Sequence, residues 1–148
     1  MISYVNGFMI QPEKERVLFI RKNRPAFQAG KWNGIGGKIE GNETIHQAMV
    51  REFEEEAGVE TTERSWEHTI TLQGRDFVVH FLRSFVIDFP LYRSVTDEIV
   101  NDWPISSVFV EYPEKFGIVT LPNMKWILPI QLNLNIKFPL VVEWQDSH

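Results

Sequence analysis

The most informative segment of the sequence is residues 37–59, GKIEGNETIHQAMVREFEEEAGV. Their second half predicts a helix over residues 44–57, because Thr44 and Gln47 have the spacing of a capping box and Gly58 can end the helix in a left-handed conformation. Apolar residues recur along it at roughly helical spacing, at Ile45, Ala48, Met49, Phe53 and Ala57. A glycine-rich turn precedes the helix, which indicates unusual backbone angles or a close approach to the main chain.

The predicted helix carries an acidic cluster. Glu52, Glu55 and Glu56 share one helix face, so without a cation their repulsion would raise their pKa values or fray the helix. Mg²⁺ prefers oxygen ligands and bridges carboxylates to phosphates, and Arg51 can hold one carboxylate by paired hydrogen bonds. The alternative is a solvated acidic face, the usual role of a glutamate-rich helix. A metal site is favoured because the glutamates crowd toward the helix C-terminus, where the macrodipole disfavours them, and follow a specialised turn carrying Glu43.

The same stretch resembles the Nudix box, Gly-x5-Glu-x7-Arg-Glu-U-x-Glu-Glu-x-Gly-U with U apolar. It matches at every specified position: Gly37, Glu43, Arg51, Glu52, Phe53, Glu55, Glu56, Gly58 and Val59. The resemblance implies an α+β fold, an α/β/α sandwich around a mixed central sheet. It also implies hydrolysis of nucleoside diphosphates linked to a further group, with Mg²⁺ (or Mn²⁺ as a substitute) and a water that attacks phosphorus.

The resemblance also assigns roles within and beyond the box. Glu52, Glu55 and Glu56 would ligate the metal with the carbonyl of Gly37, and Glu52 would also act as a base. Glu55 and Arg51 belong to the same catalytic group, while Glu43 would orient the loop or Arg51. Outside the box, Glu98 matches the late acidic residue that many members use as metal ligand or base; an exposed loop acid is the alternative for it.

Residues 27–38, FQAGKWNGIGGK, are similar to the MutT-like branch, which acts on oxidised purine nucleotides. That similarity implies that Phe27 stacks on a base and that Asn33 pairs with its edge; core packing and turn formation are the alternatives. Asn123 stands where such enzymes place a base-reading residue before a helix. Its neighbours Leu121-Pro122-Asn123-Met124 lack the tryptophan and acid pair of the mammalian members, which leaves guanine-type recognition open.

Basic residues near the glycine-rich turn can meet a triphosphate, because phosphate oxygens favour arginine and lysine donors. Among Arg21, Lys22, Arg24 and Lys38, we expect Arg21 and Lys38 to contact phosphate. Each of them also fits a solvated surface charge.

Composition narrows the class of protein. The chain has 148 residues, no cysteine and a formal net charge of −5. The length favours one domain over residues 1–148, and the missing cysteine excludes disulfides and thiolate metal sites. The excess of acidic residues argues against a nucleic-acid polymer as partner. The sequence has neither an apolar run long enough to predict a membrane span nor the basic leader of a secretory signal. We therefore expect a cytoplasmic protein, monomer or homodimer, that binds a small nucleotide.

The remaining elements are less sharply marked. Strands are predicted over residues 3–10, 16–20, 63–72, 77–87, 107–110 and 136–144, with turns at 11–15 and 73–76. A second helix is predicted over residues 122–132, with Pro129 expected to end or kink it. The segment after Pro90, with Asp97 and Glu98, is expected to be a loop.

Three functions are compatible with these sequence features. The first is a MutT-type pyrophosphohydrolase that converts dGTP or 8-oxo-dGTP to monophosphate and pyrophosphate. The second is hydrolysis of ADP-ribose, NADH or a dinucleoside polyphosphate. The third is a non-catalytic nucleotide-binding module, which the complete set of box glutamates disfavours.

Overall fold

The computed structural model describes residues 1–145, and its central feature within that range is an eight-stranded mixed sheet. The strands are β1 (Ile2–Gln11), β2 (Arg16–Arg21), β3 (Trp32–Asn33), β4 (Ile35–Lys38), β5 (Glu67–Gln73), β6 (Phe77–Phe85), β7 (Ile99–Pro104) and β8 (Leu140–Glu143). The helices are α1 (Ile45–Ala57), the single turn α2 (Pro113–Phe116) and α3 (Met124–Gln131). No helix in residues 1–145 is long and apolar enough to cross a membrane.

Strand β1 lies at the centre of the sheet. It runs parallel to β6 and antiparallel to β2 and β4. Beyond β6 the sheet continues through antiparallel β5 to parallel β8, and beyond β2 it continues through antiparallel β7. The sheet is therefore mixed, as the sequence predicts.

Strands β1 and β2 form a fork. The end of β1 pairs with the start of β2, whereas its first half pairs with β4 instead. The end of β2 pairs with β3. The segment from β3 to β4 thus lies between the two diverging strands. The glycine-rich segment that was predicted to be a turn is therefore mostly strand, because main-chain hydrogen bonds join β4 to β1 and β3 to β2.

A helix covers each face of the sheet. Because side chains alternate along a strand, Val5 and Met9 of β1 pack with α1, while Phe8 and Ile10 pack with α3. The predicted α/β/α sandwich is confirmed.

Local signals in the sequence explain α1. The N–H of Gln47 donates to Thr44 Oγ1 (3.1 Å), and the N–H of Thr44 donates to Gln47 Oε1 (2.9 Å), which completes the capping box. Gly58 ends the helix with φ of 70°, a conformation that glycine adopts without strain. The predicted helix is confirmed at both ends.

Several predicted boundaries were wrong. Residues 105–108 form a 3₁₀ turn rather than a strand, because Pro104 ends β7 there, and β7 itself lies in the segment expected to be a loop. Residues 63–65 are also a 3₁₀ turn, so β5 starts later than predicted. The last strand is shorter than predicted, and α3 includes Pro129 in its final turn before ending two residues later.

Candidate active site

The acidic site begins where β4 meets α1. Gly37 pairs with Val5 of β1 and faces Glu52, so a Cβ on Gly37 would overlap the Glu52 carboxylate. The glycine therefore leaves room for the Glu52 carboxylate in this position. Glu52 is buried, and burial raises its pKa although the neighbouring Arg51 opposes the shift. The structure brings the Gly37 main chain and the Glu52 carboxylate together, as the sequence predicts.

Arg51 organises the acids around it. Its Nε and Nη2 donate to the two oxygens of Glu43 (2.7 and 2.9 Å), and its Nη1 donates to Glu52 (3.0 Å) and Glu55 (3.1 Å). Nη2 also donates to the Lys38 carbonyl oxygen (2.9 Å), which ties the helix to the end of β4. The hydrogen bond from Arg51 lowers the pKa of Glu43. Arg51 thus fixes the rotamers of Glu52 and Glu55 through contacts that lysine could not reproduce.

Glu56 has the most unusual environment of the cluster. Its Oε2 is buried and has no hydrogen-bond partner among residues 1–145. Burial raises the pKa of Glu56 to about 7, and the charges of Glu52, Glu98 and Glu55 act in the same direction, whereas Lys22 opposes it. A buried carboxylate oxygen without a donor is a costly arrangement, and a bound cation would relieve it.

Glu98 approaches the same acids from the loop before β7. Both of its oxygens are engaged, because Lys22 Nζ donates to Oε1 (2.9 Å) and the Asn23 N–H donates to Oε2 (2.6 Å). Burial tends to raise its pKa, but these two donors hold the pKa below the usual range. Glu98 is 4% exposed, so its environment is not that of a solvated loop acid.

The donor set fits a hard divalent cation. Carboxylates of Glu52, Glu55 and Glu56 and the Gly37 carbonyl are the oxygen ligands that Mg²⁺ and Mn²⁺ prefer, and the unpaired Glu56 oxygen is a place for positive charge. In residues 1–145, no three carboxylate or imidazole groups are already gathered at metal-binding distances. Arg51 instead makes the contacts among Glu43, Glu52 and Glu55.

The candidate base-contacting residues lie on adjoining segments. The Trp32 N–H donates to the Val119 carbonyl (2.9 Å), which brings the chain before Asn123 beside Asn33. Asn33 Nδ2 donates to Gln28 Oε1 (3.3 Å), and this contact holds the loop that carries Phe27 beside Asn33. Phe27 is 64% exposed, so core packing does not account for it. Asn33 Oδ1 accepts from the Gly34 N–H (2.8 Å), so the amide also serves the turn.

The two cations predicted to bind phosphate, Arg21 and Lys38, do not point to the face of the sheet that carries the acids. Gly37 and Glu52 lie on the α1 face of the sheet, and strand alternation directs Lys38 away from that face. Arg21 pairs with Trp32, which packs on the α3 face. Neither cation has an ion pair with another residue of the described range. Their contact with phosphate stays a prediction. The cations that the structure places among the acids are Arg51 and Lys22.

A comparison with family models identifies the arrangement. The NUDIX domain model matches residues 3–113, which include the glycine-rich turn, α1 and Glu98. The chain belongs to this family. The Nudix resemblance of the sequence is therefore confirmed, and the acids on α1 are those of the Nudix box.

Curated relatives are consistent with the MutT-like branch of the Nudix family. The oxidized purine nucleoside triphosphate hydrolase of Danio rerio is 53% identical over 51 residues, which cover 34% of this chain and 31% of that protein. The CTP pyrophosphohydrolase of Escherichia coli (strain K12) is 36% identical over 100 residues, 66% of this chain and 73% of that protein. The chain thus matches about a third of the length of the first relative and a larger share of the second.

A solved Nudix structure has the same fold. MutT from Aliivibrio salmonicida or Vibrio cholerae superposes with a TM-score of 0.64 at 23% identity, covering 88% of this chain and 96% of that chain. At this identity the likeness concerns the fold alone.

Lys22 was not among the residues predicted to contact phosphate, although it lies beside the predicted Arg21. Its partner Glu98 is 76 positions away in the sequence, so only the pairing of β2 with β7 reveals their contact. One available signal was strand alternation: Ile20 packs on the α1 face, so a continuation of β2 directs Lys22 to that face.

Proposed function

We propose that this chain is a Nudix hydrolase, with one domain over residues 1–148, that converts nucleoside triphosphates to monophosphate and pyrophosphate. The proposed substrates are purine deoxynucleotides, dGTP or its 8-oxo form. The observation that carries the proposal is the buried Glu56 oxygen that lacks a partner among residues 1–145, on the same helix as the Glu52 carboxylate that fills the space beside Gly37. A buried carboxylate oxygen without a donor is suited to a divalent cation, and such a cation attracts an anionic phosphate chain.

The residues have distinct tasks in this proposal. Glu52, Glu55, Glu56 and the Gly37 carbonyl hold Mg²⁺ or Mn²⁺, which neutralises phosphate charge and lowers the pKa of a bound water. Arg51 keeps Glu52 and Glu55 in position through its hydrogen bonds. Glu52 or Glu98 accepts the proton of the attacking water.

Base recognition is proposed for the adjoining loops. Phe27 offers an exposed ring on which a base can stack, and Asn33 and Asn123 offer amides to a base edge. Support comes from the contacts that join their three segments and from the oxidised-purine relative.

A second candidate differs in the base. The relative that acts on CTP shares more of its length with this chain than the oxidised-purine relative does. Pyrimidine triphosphates are therefore a specific alternative, and the same acidic site would serve them.

A substrate panel tests both candidates. The protein is incubated with Mg²⁺ and dGTP, 8-oxo-dGTP, dATP, CTP, dCTP, ADP-ribose or a diadenosine polyphosphate, and the products are identified by chromatography. We expect the fastest release of monophosphate and pyrophosphate from a guanine nucleotide. Preference for CTP would support the second candidate, and turnover of ADP-ribose alone would contradict both.

Glu56→Gln tests the role of the acidic site. We expect at least a roughly hundredfold loss of turnover with an unchanged circular-dichroism spectrum, because the amide keeps the shape but cannot supply a charged metal ligand. Glu54→Gln is the matched control, since Glu54 is an exposed residue of the same helix. Equal turnover by the two variants would contradict the metal assignment.

A further inference from the structure

Besides Arg51, the fold places a second cation, Lys22, beside the acids of the site. Its Nζ lies 2.9 Å from Glu98 Oε1, and the side chains are 19% and 5% exposed, respectively. By contrast, the Lys14–Asp88 pair elsewhere in the protein has side chains that are 60% and 75% exposed. The Lys22–Glu98 pair is therefore shielded from the solvent that weakens surface ion pairs.

The main chain around Lys22 restricts where its side chain can go. The Lys22 N–H donates to the Lys31 carbonyl (2.8 Å), and the Gly30 N–H donates to the Lys22 carbonyl (2.7 Å). The next residue, Asn23, donates its N–H to the other oxygen of Glu98 (2.6 Å). The ammonium group is thus directed at Glu98 by both the backbone and the ion pair.

The charge of Lys22 also acts on Glu56. The Val95 N–H donates to the Glu56 carbonyl (3.2 Å), so the loop that carries Glu98, the partner of Lys22, lies against the end of α1. The ammonium group of Lys22 donates to Glu98, and the buried Oε2 of Glu56 still lacks a donor within residues 1–145. Lys22 therefore balances the acids by charge but leaves Glu56 available to a ligand.

We propose that Lys22 is a positioning residue that serves, beside Arg51, as an internal counter-ion of the acidic site and competes there with the divalent cation. This inference rests on the proposed function for the metal, but it concerns the affinity for metal and not the choice of nucleotide. In the absence of metal, Lys22 holds Glu98 and limits repulsion among the carboxylates. When metal binds, the same positive charge opposes it, so Lys22 sets the metal concentration at which the site fills.

Metal affinity without substrate tests the inference. Mn²⁺ binding is measured by the loss of the free-ion electron paramagnetic resonance signal, and Mg²⁺ binding by calorimetry. For Lys22→Met we expect roughly tenfold tighter binding of both ions, because removing a shielded positive charge strengthens the field that attracts a cation. Lys22→Arg keeps the charge and is expected to bind as the unchanged protein does.

Lys14→Met is the matched control. It removes one lysine from an exposed ion pair and changes the net charge equally, so we expect unchanged metal affinity. Unchanged or weaker metal binding by Lys22→Met would overturn the proposal that Lys22 competes with the divalent cation.

If Lys22→Met does not fold, a second pair of variants tests the same proposal. Glu98→Gln leaves the ammonium without its carboxylate and is expected to weaken metal binding. Adding Lys22→Met to Glu98→Gln removes that ammonium and is expected to tighten binding relative to Glu98→Gln alone. Equal affinity of these two variants contradicts the inference.

The outcomes separate this inference from the proposed function. If Glu56→Gln binds Mn²⁺ as tightly as the unchanged protein, the metal assignment is wrong whatever Lys22 does. If Glu56→Gln loses binding but Lys22→Met has no effect, the metal assignment stands and only the counter-ion role fails.

Discussion

Gly37 shows how the absence of one side chain shapes the acidic site. Its main chain pairs with Val5 in the sheet, while the space where a Cβ would lie is taken by the Glu52 carboxylate. The backbone carbonyl and the carboxylate can therefore approach the same point. In this chain the glycine makes room for the Glu52 carboxylate, and it does not serve a positive φ.

Gly37→Ala is expected to reduce turnover at least tenfold, because the new methyl group displaces the Glu52 carboxylate from the turn. The cost in stability is smaller, since the far end of a glutamate can rotate away. Turnover at saturating Mg²⁺ and urea unfolding measure the two effects.

Gly41→Ala is the control for that variant. A Cβ at Gly41 meets open space, but its φ of 51° disfavours alanine. We expect a loss of about 1 kcal/mol in the free energy of unfolding with little change in turnover. Equal turnover of both variants would contradict the role given to Gly37.

The strand pair β5–β6 carries a polar cluster on its α1 face. His68 Nε2 lies 3.4 Å from His80 Nδ1, and Thr71 Oγ1 lies 3.0 Å and 3.2 Å from these two nitrogens. Burial and the charge of His68 lower the pKa of His80 to about 4, and burial also lowers the pKa of His68. The folded strands therefore favour two neutral imidazoles.

Acid is expected to destabilise this strand pair. An unfolded histidine binds its proton below about pH 6.5, whereas folded His80 resists protonation until about pH 4. Stability is therefore lost as the pH falls from about 6.5 toward 4. Because His80 is half-buried and solvent screens it, we expect a contribution of about 1–2 kcal/mol.

His80→Gln measures this contribution. We expect the variant to lose less free energy of unfolding than the unchanged protein between pH 7 and pH 4.5, as measured by urea unfolding at each pH. Parallel stability curves for the two proteins would show that His80 does not cause the acid sensitivity.

Elements with local signals could be predicted from the sequence, and elements defined by distant pairing could not. The capping residues of α1 lie three positions apart, and so its ends follow from short-range chemistry. Strand β7 carries Asn101 and Asp102, which are poor strand formers, and it exists because all of it pairs with β2. The same distinction explains the site: Glu52, Glu55 and Glu56 share one helix, whereas Lys22 meets Glu98 across the sheet.

On the scale of the whole molecule, Arg83 joins the sheet to the helix on its second face. Its Nη1 donates to the carbonyls of Gln131 (2.8 Å) and Asn133 (2.7 Å) at the end of α3, and its Nε donates to Glu67 (2.7 Å). Its guanidinium lies 4.8 Å and 4.7 Å from the ring centroids of Phe85 and Phe138. One side chain thus connects β6, β5, α3 and the segment before β8.

Arg83→Met is expected to lower the free energy of unfolding by about 2–4 kcal/mol, because it leaves the helix-end carbonyls without their donor. Arg75→Met, at an exposed position of the turn between β5 and β6, is the control and is expected to cost less than about 0.5 kcal/mol. Urea unfolding measures both, and equal losses would contradict the joining role of Arg83.

The fork between β1 and β2 separates two segments that the sheet holds to different degrees. The glycine-rich turn is anchored in the sheet by β3 and β4, so changes there disturb the chemistry of the acids. The loop that carries Phe27 is closed at its base by two main-chain hydrogen bonds between Lys22 and residues 30–31. A substitution at the exposed Phe27 therefore disturbs the acidic cluster less than a substitution in β4 does.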